Sequence, residues 1–169
     1  MQLTRATKEN GLFNELEIQW RGQLAQYEET LEDYMPSYIE HCNKVLIDTP
    51  DDYFVYVMTN SGAYEGFLHI NRAKIKKFSG YTLRATEITL APNLDYEAIP
   101  DEKMFELVAG IVTELLRLSQ GELESTNIKI HIGPLDKPYL SVFAKYFTGA
   151  GFNSAIEGNW LVIRKKVTT

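Results

Sequence analysis

The residues best equipped for chemistry lie between positions 84 and 103. Glu87 sits in the middle of the strand-like segment RATEITLAP, where a glutamate is uncommon unless it is paired or functional. Alternation puts Arg84, Thr86 and Ile88 on one face of that strand and Ala85, Glu87 and Thr89 on the other. The segment runs into a short connection and then an amphipathic helix, the strand-to-helix junction where α/β proteins usually hold phosphates. Here the connection carries Asp95, Glu97, Asp101 and Glu102 and contains no glycine. His69 and His131 each stand alone on a strand-like segment, and a lone strand histidine is usually just hydrogen-bonded. No Walker motif, Ser-His-Asp order or zinc signature is present.

The bulk composition limits what these residues can serve. The chain has 169 residues, 44% of them hydrophobic and 24% charged, which suits one domain with a real core. A formal charge of −6 argues against generic nucleic-acid binding. Cys42 is the sole cysteine, and the three histidines lack metal-ligand spacing, so neither a disulfide framework nor a metal site is expected. No stretch reads as a leader or a membrane span, so the expected location is the cytoplasm.

The elements that position the candidates follow from periodicity. QLTRAT reads as a first strand, and Phe13, Leu16, Trp20, Leu24 and Tyr27 recur at helical spacing. A second helix is expected to open at Pro36, with Ile39, Cys42, Val45 and Leu46 facing inward. DYFVYVMT and YEGFLHINRAKIKK form a hairpin about Asn60-Ser61-Gly62, and YTLRATEITLAP is the next strand, ended by Pro92. A helix spans 101–120, with Asp101 as its N-cap, Gly121 as its stop, and Met104, Leu107, Val108, Ile111, Leu115 and Leu118 as its stripe. NIKIHI is a strand with Ile128, Ile130 and Ile132 on one face. Tyr139, Val142, Phe143, Tyr146 and Phe147 mark a helix, and NSAIEGNWLVIRKK closes the chain as one or two strands. The expectation is an α/β (α+β) fold: a mixed, mostly antiparallel sheet of about 6–7 strands with about four helices.

That order, with ITLAP before the central helix and YFTGAGF near the end, resembles the GCN5-related N-acetyltransferase (GNAT) superfamily over nearly the whole chain. The resemblance implies a single GNAT-like domain, 1–169, that transfers an acyl group, typically acetyl, from acetyl-CoA to an amine. It implies coenzyme contacts at Ile88, Leu90, Ala91, Pro92, Ala98, Asp101 and Lys103. It also implies Glu87 as the base that deprotonates the amine, with His69 or His131 as alternatives. The family's late tyrosine, which protonates the leaving thiolate, aligns with Phe147, leaving the adjacent Tyr146 as the candidate acid. The family's pyrophosphate loop reads Arg/Gln-x-x-Gly-x-Gly/Ala, whereas here Asp95 and Glu97 replace basic residues and Tyr96, Ala98 and Pro100 replace glycines. A carboxylate about 4 Å from a phosphate costs roughly 1–4 kcal/mol. The alternative is therefore a catalytically inactive GNAT-fold binding or inhibitory module with no cofactor.

Charge patterning suggests what such a protein meets. Glu28, Glu29, Glu32, Asp33, Glu40, Asp48, Asp51 and Asp52 crowd the helical N-terminal third, which suits a cationic amine acceptor, either a small molecule or a protein, or else is simply a solvated face. Arg72, Lys74, Lys76, Lys77 and Arg84 gather on one hairpin, read as lysines guarding an exposed edge or as a surface for an acidic protein partner. Nucleic acid and membrane are not expected partners, and a homodimer is left open.

Overall fold

A computed structural model describes residues 1–48, 53–131, 133 and 137–165, with backbone alone for Asp48, Lys137, Pro138 and Tyr139. Its strands are β1 (Gln2–Arg5), β2 (Tyr53–Asn60), β3 (Ala63–Lys74), β4 (Tyr81–Leu90), β5 (Asn127–His131), β6 (Asn153–Glu157) and β7 (Trp160–Arg164). Its helices are α1 (Leu12–Leu24), α2 (Leu31–Tyr34), α3 (Tyr38–Asp48), α4 (Pro92–Tyr96), α5 (Asp101–Gln120) and α6 (Lys137–Gly149). The strands form one open, mostly antiparallel sheet in the order β1-β2-β3-β4-β5-β7-β6. The expected strand count and sheet character hold. The helix count rises from about four to six, because the single-turn helices α2 and α4 are too short to leave a periodic signal.

The chain divides into two compact units, Met1–His69 with Ile88–Met104, and Ile70–Glu87 with Phe105–Thr169. In the first, the helical spacing of Phe13, Leu16, Trp20 and Leu24 buries all four against Leu31, Met35, Cys42, Val55, Val57 and Phe67. The Trp20 indole N–H donates to the Tyr64 carbonyl at 2.9 Å, so a large ring is buried without an orphaned donor. Thr30 caps α2 by accepting from the Asp33 N–H at 3.1 Å and donating to the Asp33 carboxylate at 2.6 Å, a reciprocal arrangement that fixes the single turn.

Two helix starts differ from expectation. Pro36 does not open α3: the Ser37 carbonyl accepts from the His41 N–H at 3.2 Å, and the helix begins at Tyr38. Likewise the Pro100 carbonyl accepts from Met104 at 3.0 Å, so Pro100 takes the cap position and Asp101 is the first helical residue. A proline serves there because its missing N–H would have had no helical partner.

In the second unit, β4 pairs with β5 in parallel and β7 lies antiparallel between β5 and β6. Leu83, Ile128, Ile130, Leu161 and Ile163 are buried on one face. Leu107, Ile111, Val112, Leu115 and Leu118 are the buried stripe of α5. On α6 the buried positions are Leu140, Phe143 and Phe147, at i, i+3 and i+7, while Val142 and Tyr146 are 54% and 68% exposed. The inward face of α6 is thus narrower than its run of apolar residues suggests. Ile132 and its expected place on β5 lie outside the described residues. The basic hairpin is also reassigned. β3 and β4 are interior to the sheet, so its lysines protect no edge.

One glycine in the first unit is fixed by contact. A Cβ on Gly66 would come within 2.5 Å of the Thr89 carbonyl oxygen and 2.2 Å of the Met58 terminal methyl. Met58 can move, whereas the backbone carbonyl of β4 cannot move without disturbing the strand. Gly66→Ala is expected to lower the free energy of unfolding by about 1–3 kcal/mol, measured by urea denaturation; an unchanged midpoint would show that β4 yields freely there.

Candidate functional site

The end of β4 and the start of α5 hold most of the expected coenzyme contacts, and several polar groups there have a protein partner. The Leu90 carbonyl accepts from the Tyr34 hydroxyl at 3.0 Å, and the Ala91 N–H donates to the Glu65 carbonyl at 2.9 Å. Pro92 is buried as the first residue of α4 and offers no donor. The N–H groups of Leu94 and Asp95 turn back onto the Ala91 carbonyl at 2.8 and 3.0 Å, and that of Asn93 meets the Gln23 side chain at 3.3 Å. Ile88 is half-buried and Ala98 is exposed in the stretch between α4 and α5.

The loop's carboxylates are engaged with tyrosines from the α1–α2 region. Tyr34 also donates to Asp95 at 3.2 Å, Tyr27 donates to Glu97 at 3.1 Å, and Tyr96 donates to Glu29. The rings pack edge to face, with centroids 4.9 Å apart for Tyr27 and Tyr96 and 5.5 Å for Tyr34 and Tyr96. The hydrogen bond to Glu29 pushes the Tyr96 hydroxyl up to about 12, and burial, then Asp95, raises that of Tyr34. These phenols stay protonated and keep donating.

Lys103 is similarly committed. Its ammonium pairs with Glu65 at 2.9 Å, and that carboxylate also accepts from Asn60 at 3.2 Å. The other oxygen of Glu65 is buried without a partner among the described residues, so removing Lys103 would leave a poorly compensated charge. Asp101 and Glu102 occupy the first turn of α5, where they answer the helix dipole themselves. The β4 end of the junction and α4 therefore offer few donors to the phosphates of a coenzyme. Among the described bonds, the amides of Ala91, Asn93, Leu94 and Asp95 and the Lys103 ammonium are taken by protein groups, and Asp101 and Glu102 add negative charge at the start of α5.

Glu87 is exposed even though β4 is an interior strand. The described register of β4 with β5 covers Thr82–Ala85 only, so Glu87 lies two residues past the last registered pair. Tyr146 is exposed on α6 with its ring edge-to-face on buried Phe147 at 5.5 Å. His131 is exposed at the end of β5, against the Trp160 ring at 4.9 Å.

His69 is fully buried, with Nδ1 2.5 Å from the Tyr53 hydroxyl and Nε2 3.3 Å from the Cys42 sulfur. The His41 ring stacks on it at 5.1 Å, and His41 Nε2 reaches the same Tyr53 hydroxyl at 3.1 Å. Burial, assisted by His41, lowers the His69 pKa to about 4. The cluster was hidden in the sequence because its members come from α3, β2 and β3, which meet only on folding.

The acidic N-terminal third is only partly free. Glu32 is paired with Arg21 at 2.5 Å, and Asp33 and Glu29 have the partners given above. Glu28 and Glu40 are exposed, and Asp51 and Asp52 lie outside the described residues. A cleft of about 710 Å³ beside α3 is lined by apolar Met35, Pro36, Ile39 and Ile47 and by Glu32, Glu40, Asn43 and Lys44, so it carries both signs of charge. No group of His, Cys, Asp and Glu suited to a metal occurs among the described residues, and none of their helices is long and apolar enough to cross a membrane.

No protein-family model matches the chain, and neither does any curated protein sequence. Among solved structures, the N-acetyltransferase PseH of Campylobacter jejuni is similar at 11% identity over 98% of each chain, with a TM-score of 0.53. A probable acetyltransferase matches at 14% identity over 92% of each chain, with a TM-score of 0.49. A spermidine N-acetyltransferase SpeG chimera from Vibrio cholerae and hSSAT matches at 14% identity over 97% of this chain and 92% of that one, with a TM-score of 0.48. At these identities the likeness establishes the fold, and the match to PseH carries it.

The pH dependence of His69 has a definite sign. Its pKa is about 4 in the folded chain against an ordinary 6.5, so the unfolded chain binds more protons between those values. Stability is full above pH 6.5, falls as pH drops through the window, and levels off below pH 4. Between pH 7 and 4.5 the native protein should lose about 2 kcal/mol more than His69→Gln, by urea denaturation at both pH values. Equal losses would remove His69 as the cause.

Proposed function

We propose that this chain, which has the GNAT fold, is an N-acyltransferase acting on an amine acceptor, with Glu87 as its base. The observation that carries the reading is the exposure of Glu87 on an interior strand, just past the registered pairing with β5. A carboxylate there can take the proton that an ammonium group must lose before its nitrogen attacks an acyl carbon. Tyr146, exposed one residue before buried Phe147, supplies a hydroxyl able to return a proton. An acetyl-CoA donor would then hold its phosphates away from α4, whose amides and flanking carboxylates are already bonded to the protein.

The tyrosine–carboxylate bonds of the loop between β4 and α5 favour a second reading. A loop whose carboxylates are held by tyrosines of the protein itself suits a GNAT-fold protein that binds a partner without catalysis. Thermal unfolding with and without acetyl-CoA separates the two. At about 100 times its dissociation constant the donor should add roughly 2.7 kcal/mol, and Glu87→Gln should slow amine acylation by about 10²-fold or more while keeping that shift. No shift and no calorimetric heat at millimolar acetyl-CoA selects the non-catalytic reading, and undiminished turnover in Glu87→Gln removes Glu87 from the chemistry.

A further inference from the structure

The second unit has a polar sheet face opposite its apolar one, and that face carries a surplus of cations. Strand alternation places Arg84 on β4, Lys129 on β5, and Trp160 and Arg164 on β7 on this face. Arg84 and Lys129 are register partners on neighbouring strands, an arrangement of like charges that disfavours folding. Aromatic rings relieve part of the repulsion. The Trp160 ring lies 5.2 Å from the Arg84 guanidinium and 4.7 Å from the Lys129 ammonium. Phe78, in the turn between β3 and β4, lies 4.7 Å from Arg164, 5.8 Å from Lys129 and 5.7 Å from Lys77.

The described ion pairs of this face all end on one carboxylate. Glu157 takes Lys77 at 2.7 Å and Arg164 at 2.5 Å, and the Lys77 bond holds its carboxyl below the usual range. Four cations thus share one anion, in a chain whose overall charge is −6. The Nε donors of both Arg84 and Arg164 are buried and have no hydrogen-bond partner among the described residues. A π-face attracts a guanidinium but does not supply the in-plane acceptors these N–H groups require. Burial, then the neighbouring Arg84, lowers the Lys129 pKa, and the shared Glu157 only partly offsets them. Beside these groups lies a cleft of about 360 Å³, lined by Lys77, Phe78, Asn127, Asn153, Arg164 and Lys165.

We propose that this face binds a small molecule bearing a diphosphate group, with the cleft at Arg164 and Lys77 as its seat. Two adjacent phosphoryl groups match the excess of three positive charges, and their oxygens suit guanidinium forks better than a single carboxylate does. The cleft is of small-ligand size, and the basic surface is confined to one sheet face of an acidic chain, which favours a compact anion over a nucleic acid. The proposal is independent of Glu87 and of the acyl-transfer reading.

Inorganic pyrophosphate at constant ionic strength is the probe, read by calorimetry and by thermal unfolding of the full chain. Saturable binding is expected, weakened about tenfold or more in Lys77→Gln, Lys129→Gln and Arg84→Gln, and unchanged in Lys8→Gln. Lys129→Gln removes a repulsion, so the free variant should unfold no earlier than the native protein, and loss of binding will not reflect misfolding. Absence of saturable binding, or binding equal in all four variants, overturns the proposal as mere counter-ion attraction. Binding of an oligoglutamate peptide in place of pyrophosphate overturns it in favour of an acidic protein partner.

Discussion

A polar group shut away from water needs a partner, and the half-buried hydroxyl of Tyr34 finds one in the last carbonyl of β4, with the exposed carboxylate of Asp95 also in reach. Its ring lies edge to face against Trp20 at 6.2 Å and Tyr96 at 5.5 Å, so the same side chain ties the helical layer to the end of the strand. Much follows from that one placement. With Leu90 and Asp95 answered from α2, and Asn93 from α1, the chain after β4 folds into a helical turn whose amides close on themselves. A loop that must release its amides to a ligand is normally built from glycines. This one is built from side chains that need other side chains.

Element positions were largely legible because each depends on local period. The bounds of α5 coincide with its apolar stripe, and the buried quartet of α1 falls on the expected spacing. What escaped depends on non-local partners. Nothing near Asp95 or Glu97 announces tyrosines some sixty to seventy residues earlier in the chain. The face of α6 was misjudged because Val142 and Tyr146 are apolar enough to read as core while lying on the solvent side. Asp101 read as a cap on composition alone, whereas the Pro100 carbonyl sets the first helical bond.

Of the candidate residues, Glu87 was legible as an oddity because alternation isolates it on a strand. The crowding of Arg84, Lys129 and Arg164 was not, since register, which brings positions 84, 129 and 164 onto one face, cannot be read from single segments. The net charge concealed both features. Acidic side chains gather in the first unit and cations that share one carboxylate on a face of the second, and the total reports neither.

The chain has two tryptophans, and they stand in different units and in opposite surroundings. Trp20 is fully buried, packed against rings with its N–H on the Tyr64 carbonyl, whereas Trp160 lies beneath an ammonium and a guanidinium. Each unit thus contains its own fluorophore. The emission of Trp20 follows the dryness of the first unit's core, and that of Trp160 follows the charges above it. Replacing either ring by phenylalanine leaves an optical reporter confined to one half of the molecule, so the two halves can be watched separately without any added label.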